Sequence, residues 1–297
     1  MGFIEDVTSF TDLNLSFYEP MKKHTGYGVG GKAKFYAEAK NLYSINCALN
    51  LCKQYKIPIK IIGNGTNLLV SDKGYDGLII STKNLNDLFF KQNQVRAMCG
   101  VTIKKLVDFC VEHSLSGAEM LYGIPATIGG AVYMNAGAFM HNISDCIVEV
   151  ESICDGKLVK RYKDECYFGY RKSIFNHLNE IIVSATFDFT EKDKKEINEK
   201  IFSVVRVRRS IHPQGKSLGC VFKNPKKASA GQLIDGAGLK GFTIGGAKVS
   251  EVHANFIITN QTASATDVIE LIDYVKKKVY SLFNVKLIEE VEIIGDF

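Results

Sequence analysis

The chain has no tryptophan, only five prolines, and no Cys-x-x-Cys pair among its 297 residues. Its eight cysteines stand apart, at 47, 52, 99, 110, 146, 154, 166 and 220. That scatter lacks the pair-of-pairs spacing of a structural zinc site, so no metal is expected. No basic-then-apolar leader opens the sequence, and no apolar run approaches the ~20 residues that cross a bilayer. A cytoplasmic protein with free thiols and no membrane partner is therefore expected. No basic stripe with interleaved aromatics appears, which argues against nucleic acid as a partner. The net charge of +5 suits a binder of anionic metabolites. Low-complexity segments and repeats are absent too. What remains is a globular composition, 46% hydrophobic and 23% charged, long enough for two or three domains.

The most unusual stretch is Leu121 to Phe139, LYGIPATIGGAVYMNAGAF. Gly123, Gly129, Gly130 and Gly137 carry no Cβ, so the backbone there can take positive φ and approach another molecule closely. Pro125 fixes one φ and starts a turn. A loop of this kind presents backbone N–H groups to an anion, and a dinucleotide pyrophosphate is the natural guest. One Gly-Gly pair would suggest only a tight turn. Four glycines and a proline within so few residues favour a cofactor.

Two other glycine clusters read differently. Gly26 to Lys32 spells G-x-x-x-x-G-K, but Ala33 offers no hydroxyl to a magnesium ion, no strand precedes it, and residues 33–38 alternate like a strand. A P-loop is excluded. Ile59–Ile62 reads as a strand that runs through Gly63-Asn64-Gly65-Thr66-Asn67 into a second strand, Leu68-Leu69-Val70. Leu68 stands where a third glycine would complete a dinucleotide fingerprint, and no helix follows. A hairpin turn and a phosphate-binding turn with Asn64, Thr66 and Asn67 as donors both remain open.

Periodicity supplies the rest. Residues 42–52 and 103–111 place apolar side chains on one helical face. His113, at the end of the second helix, reads as a surface or capping residue. Asp155-Gly156 marks a hairpin between a strand at 147–151 and its return. Strands are expected at 77–81, 95–100, 181–189, 252–258 and 287–295. Ile197, Ile201, Val204 and Val205 define a helix ending in Arg206, Arg208 and Arg209, cations that the helix dipole favours. Ser264-Ala265-Thr266-Asp267 resembles a capping box before a long helix through Leu282. Arg171 lies between aromatics, where its guanidinium can be held for bidentate carboxylate recognition, although a surface ion pair is the ordinary alternative. Cys220 follows a glycine and precedes an apolar pair, the usual setting of a small core hydrophobe.

Taken in order, GNGTNLLV, GIPATIGGAVYMNAGAF, YRKSIF, GCVFKNP, AGQLIDGAGLKG, VHANFIIT and EVEIIG resemble the UDP-N-acetylenolpyruvoylglucosamine reductase (UDP-N-acetylmuramate dehydrogenase) family, from about Thr25 to Gly295. The resemblance implies an α+β fold. A flavin-binding fold of the vanillyl-alcohol-oxidase (PCMH) type in two subdomains, 1–81 and 82–190, would be followed by a substrate domain, 191–297. It implies non-covalent FAD held by Gly63, Asn64, Gly65, Thr66, Asn67 and Leu68. The second loop would add Gly123, Ile124, Pro125, Thr127, Gly129, Gly130, Ala131, Asn135, Gly137 and Ala138. NADPH would reduce the flavin, and the enolpyruvyl ether of UDP-N-acetylglucosamine would then take a hydride at C3 and a proton at C2, in peptidoglycan precursor synthesis.

The same resemblance assigns roles. Arg171, in the Tyr-Arg-x-Ser-x-Phe motif, and Glu290, in Glu-Val-x-Ile-Ile-Gly, would grip the substrate carboxylate and stabilise the enediolate-like charge. Strand alternation would put Glu290 and Glu292 on one face, so the motif alone chooses between them. Cys220 stands where the family commonly has serine as proton donor. A thiol with a pKa of about 8.5 is a competent acid if it stays protonated. Tyr170, Lys223, Asn224 and, by looser alignment, Arg209 would meet the substrate. The short span from Arg171 to Cys220 implies the form without the inserted Tyr loop, and Glu292 replaces an arginine often found there. A monomer is expected. A flavin-dependent oxidase of the same fold, and a nucleotide-sugar binder with a degenerate flavin site, are the alternative readings.

Overall fold

The computed structural model describes residues 2–226 and 228–297. By packing, the chain separates into two units. The first holds the segment up to Ser16, Tyr36–Asn64 and Leu78–Arg208; the second holds Phe17–Phe35, Gly65–Gly77 and Arg209–Phe297.

The first unit is built on a five-stranded antiparallel sheet in the order Lys157–Tyr162, Ile147–Cys154, Ile181–Asp188, Gln94–Met98, Leu88–Lys91. Val150, Ala185, Phe187, Val95 and Ala97 face a core that also takes Ile103, Leu106, Val107 and Cys110 from the helix Ile103–Glu112. Thr102 begins that helix by accepting the Lys105 N–H. His113 ends it, donating its backbone N–H to the Phe109 carbonyl at 3.2 Å and stacking its ring on Phe90. The capping role read from the sequence is the one observed. Asp155 and Gly156 sit at φ 43° and 81° between paired strands, a type I′ turn with its favoured residues.

Of the two readings left open for residues 63–67, the hairpin is not the one observed. Ile59–Ile62 pairs in parallel with 78–81 in the first unit, whereas Leu68–Val70 pairs in parallel with Glu292–Ile294 in the second. Neither strand pairs with the other, so the turn at 63–67 leads away from its first strand.

In the second unit the helix Ala265–Phe283 opens with the expected capping box. Ser264 Oγ accepts the Asp267 N–H, and Asp267 Oδ2 accepts the Ser264 N–H, both at 3.0 Å. Asp72 adds a second cap, accepting the Ala265 and Thr266 N–H groups at 2.9 and 2.8 Å. Val268, Leu271, Ile272, Val275 and Val279 bury the apolar stripe against a small sheet, Thr243–Ile244, Ala247–Val249 and Ile257–Thr259. Each such side chain contributes about 1.5–3 kcal/mol on burial.

Two expected strands are shorter than the sequence suggests. The one at 252–258 is confined to Ile257–Thr259, because Ser250 Oγ accepts the Val252 and His253 N–H groups and turns the chain first. The one at 287–295 is confined to Glu292–Ile294, because residues 288–290 bond a different segment, 221–223. Among the described residues no helix is long and apolar enough to cross a membrane, and no group of His, Cys, Asp and Glu is arranged to hold a metal.

Candidate active site

The glycine loop of the first unit is held by backbone contacts that explain its composition. A Cβ on Gly63 would run into Thr127 Oγ1, so the two chain segments can touch only with glycine there. Asn64 Nδ2 donates to the Pro125 carbonyl at 2.9 Å, a second tie between them. Ile124 N–H bonds the Leu121 carbonyl at 3.0 Å, closing the turn that enters the loop. Gly129 packs on Cys99 and donates its N–H to the Cys99 carbonyl at 2.8 Å. Ile128, Ala131 and Val132, on the short helix Ile128–Met134, are buried in the core. Gly130 lies on the other side, where an added Cβ would meet only Thr127 Oγ1, at 3.7 Å. One face of the loop is thus anchored and the other left bare.

The loop ends in a small hairpin, Gly137–Ala138 against His141–Asn142. Arg171 is tied to it: its Nη2 donates to the Gly137 carbonyl at 2.8 Å. Arg171 sits with Tyr170 in a tight turn closed by Gly169 and Lys172, at φ 53°, with its guanidinium 5.3 Å from the Tyr170 ring centroid. Asn135 takes a left-handed conformation at the helix end. Its side chain joins the loop to that turn, donating to the Gly169 carbonyl at 2.9 Å and accepting the Ser144 N–H at 3.3 Å.

Sequence reading singled out Arg209 but passed over its neighbour. Arg209 is exposed, whereas Arg208 is partly buried and burial pulls its guanidinium below the usual arginine range. Arg208 Cδ fills the space that a Cβ on Gly123 would need, and its guanidinium lies 5.1 Å from the Phe139 ring centroid. Its Nε and Nη2, like Thr127 Oγ1, are buried without a hydrogen-bond partner. The signal was in the periodicity: Arg208 lies four residues after Val204 and seven after Ile201, on the buried face of its helix.

In the second unit, residues 220–223 form the centre of a ribbon. On one side Cys220 bridges Phe256, and the Val221 N–H bonds the Asn255 carbonyl at 2.8 Å. On the other, the Glu290 N–H bonds the Val221 carbonyl and the Lys223 N–H bonds the Ile288 carbonyl, both at 2.8 Å. Cys220 and Glu290 are thereby placed on adjacent, hydrogen-bonded segments. Asn255, buried and not singled out from the sequence, locks the ribbon: its Oδ1 accepts the Phe222 N–H at 2.9 Å and its Nδ2 donates to the Phe222 carbonyl at 2.8 Å. Asn67 Nδ2 holds the Glu290 carbonyl at 3.0 Å, and the Glu292 N–H bonds the Asn67 carbonyl at 2.9 Å. Leu68, buried, pairs with Glu292. Gly65, at φ 64°, brings Thr66 and Asn67 past His24, whose carbonyl a Cβ on Gly65 would strike. Asn224 Oδ1 accepts the Ala230 N–H at 3.0 Å, at the start of the helix Ala230–Gly236.

Comparison with known proteins gives this geometry a family. Residues 33–161 match the FAD binding domain, and residues 212–294 match the C-terminal domain of UDP-N-acetylenolpyruvoylglucosamine reductase. The chain is 40% identical over 281 residues to the UDP-N-acetylenolpyruvoylglucosamine reductase of Anoxybacillus flavithermus, covering 93% of both chains. It is 40% identical over 281 residues to that of Carboxydothermus hydrogenoformans, covering 94% of this chain and 93% of the other. The crystal structure of the reductase from Thermus caldophilus superposes with a TM-score of 0.81 at 34% identity, covering 96% of this chain and all of that one. A glucose dehydrogenase, Phl p 4.0202, shares the fold alone, at 11% identity and a TM-score of 0.52.

The residues present fit a flavin dinucleotide in the first unit. The loop offers a bare face at Gly130, and it buries a hydroxyl and two guanidinium donors with no protein partner. With its α+β architecture, its FAD binding domain and its C-terminal domain all accounted for over nearly the whole length, the chain belongs to the UDP-N-acetylenolpyruvoylglucosamine reductase family.

Proposed function

We propose that this chain reduces the enolpyruvyl ether of UDP-N-acetylglucosamine to UDP-N-acetylmuramate, with NADPH as the reductant. Bound FAD supplies the hydride. The observation that carries the assignment is the ribbon, in which hydrogen bonds through Val221 set Cys220 beside Glu290.

Hydride addition to an enol ether places negative charge on the adjoining carboxylate. Arg171, fixed on the Gly137 carbonyl and the Tyr170 ring, is the group that receives that carboxylate. Cys220 gives its thiol proton to C2, and Glu290 orients the carboxylate from the neighbouring segment. Lys223 and Asn224 follow Cys220 along the ribbon and contact the substrate, as do Tyr170 and Arg209. Gly63, Asn64, Gly123, Ile124, Pro125, Thr127, Gly129, Gly130, Ala131, Asn135, Gly137 and Ala138 hold or shape the cofactor site in the first unit. Gly65, Thr66, Asn67 and Leu68 are assigned to the cofactor by the motif they complete. A monomer is proposed as the acting species; sedimentation equilibrium tests it.

The purified protein is expected to be yellow and to oxidise NADPH beyond the single equivalent that reduces its flavin only when UDP-N-acetylglucosamine enolpyruvate is present. In Cys220→Ala, NADPH should still bleach the flavin, but reoxidation by substrate should slow at least a hundredfold. Normal turnover by that variant would remove Cys220 from the mechanism. Oxygen consumption in place of substrate reduction would favour an oxidase.

A further inference from the structure

The hairpin that closes the glycine loop is built on a turn unsuited to its residues. Ala138 faces His141, so Phe139 and Met140 are the two turn residues, and both have positive φ, 51° and 66°. This is a type I′ turn, in which Asn-Gly is favoured because side chains with a Cβ are strained in the left-handed region. The same unit uses favoured residues at Asp155-Gly156. Met140 does not repay the strain by packing, since it is 98% exposed. Phe139 does have a contact: its ring lies under the guanidinium of Arg208, centroid to Cζ 5.1 Å. Arg208 is packed against Gly123 at the other end of the loop, and its Nε and Nη2 are buried without a partner. Strain held where a charged group must be aimed points to function.

We propose that Phe139 is a positioning residue whose ring holds the Arg208 guanidinium against the glycine loop, with Nε and Nη2 presented to a phosphate of a bound ligand. The left-handed turn is what brings the ring beneath the cation; an Asn-Gly turn would supply the same bend with no ring. The phosphate belongs either to the flavin dinucleotide or to the UDP-sugar. The proposal rests on reading the loop as the flavin site.

The test compares Phe139→Gly, Phe139→Tyr and Met140→Gly in the full chain, as holoenzyme and after removal of FAD. Glycine takes positive φ freely, so Phe139→Gly should melt no lower than the parent. Its affinity for the phosphate ligand should nonetheless fall about tenfold, the size of a desolvated cation–π contact. Phe139→Tyr should restore it. Met140→Gly should raise the melting temperature by roughly 2–4 °C and leave both affinities unchanged. FAD titration of the apoprotein, followed by flavin fluorescence, and the KM for the UDP-sugar separate the two sources. A weaker FAD constant alone assigns the phosphate to the cofactor, and a raised KM alone assigns it to the substrate. Parental values of both in Phe139→Gly overturn the proposal. So does a loss that Phe139→Tyr shares, or one matched by a lower melting temperature. Failure of the unmutated apoprotein to take up FAD overturns the flavin reading itself, and the proposal with it.

Discussion

The glycine loop of the first unit and the ribbon of the second both lack long regular elements, yet they treat their polar groups differently. In the ribbon the amides are paired within the protein: Asn255 with both backbone groups of Phe222, Asn67 with the Glu290 carbonyl, and Asn224 with the Ala230 N–H. At the loop, Thr127 Oγ1 and two donors of Arg208, which packs on Gly123, are buried with no protein partner. A buried polar group left unpaired costs about 1–3 kcal/mol. The ribbon therefore meets its polar groups from within, whereas the loop leaves three polar atoms without a protein partner. On the proposed function, one is the mount for Cys220 and Glu290 and the other the receptacle for the cofactor.

The largest effect should come from breaking the mount. Asn255→Ala strands the Phe222 N–H and C=O in the interior and should cost about 3 kcal/mol in denaturant unfolding. A loss below about 1 kcal/mol would mean that the ribbon is held by something other than this amide.

A smaller and opposite pattern is expected in the receptacle. Thr127→Val replaces the unpartnered hydroxyl by a methyl group of similar size. The FAD-free protein should melt at the parental temperature or above it. FAD should bind about tenfold more weakly, equivalent to about 1.4 kcal/mol. A destabilised apoprotein with unchanged FAD affinity would erase the distinction between the two regions.

The smallest effect concerns pH. Burial lowers the pKa of His253 below the ordinary histidine range, and a hydrogen bond to its own backbone only partly opposes this. Its Nδ1 accepts the Asn255 N–H at 3.2 Å, which suits a neutral ring. The unfolded chain thus takes up this proton more readily than the folded one. Stability from this group is fully present above pH ~6.5 and is lost as pH falls toward the lowered folded value. Unfolding free energy measured between pH 7 and 5 should fall less steeply in His253→Gln, by less than one proton's slope. Identical slopes would show that His253 is not buried as a neutral ring.

Local features were legible in the sequence because their causes are local. The helix Ile103–Glu112, the Asp155-Gly156 turn and the Ser264–Asp267 capping box each depend on residues a few positions apart. The turn at 63–67 could not be resolved from its own residues, because its two strands pair elsewhere, 59–62 with 78–81 and 68–70 with 292–294. Residues 287–295 look like one strand by alternation. They divide because residues 288–290 and 292–294 bond different segments. That division also removes the simple same-face argument for Glu290 and Glu292. Within the candidate site, motif resemblance named Cys220 and Glu290, while Asn255 went unread because a doubly bonded amide leaves no periodic trace. Arg208 was concealed among three arginines that the helix dipole already explained.

The parallel pairing of Leu68–Val70 with Glu292–Ile294 has a consequence for biogenesis. The bond from Asn67 to the Glu290 carbonyl spans 223 positions. On a ribosome, Leu68–Val70 must wait with an open edge until Ile294 has emerged, a long interval during which another extended segment could add to it. Glu290 meets Val221 only near the end of that wait, so a nascent chain stopped short of Glu290 carries Cys220 without its neighbour.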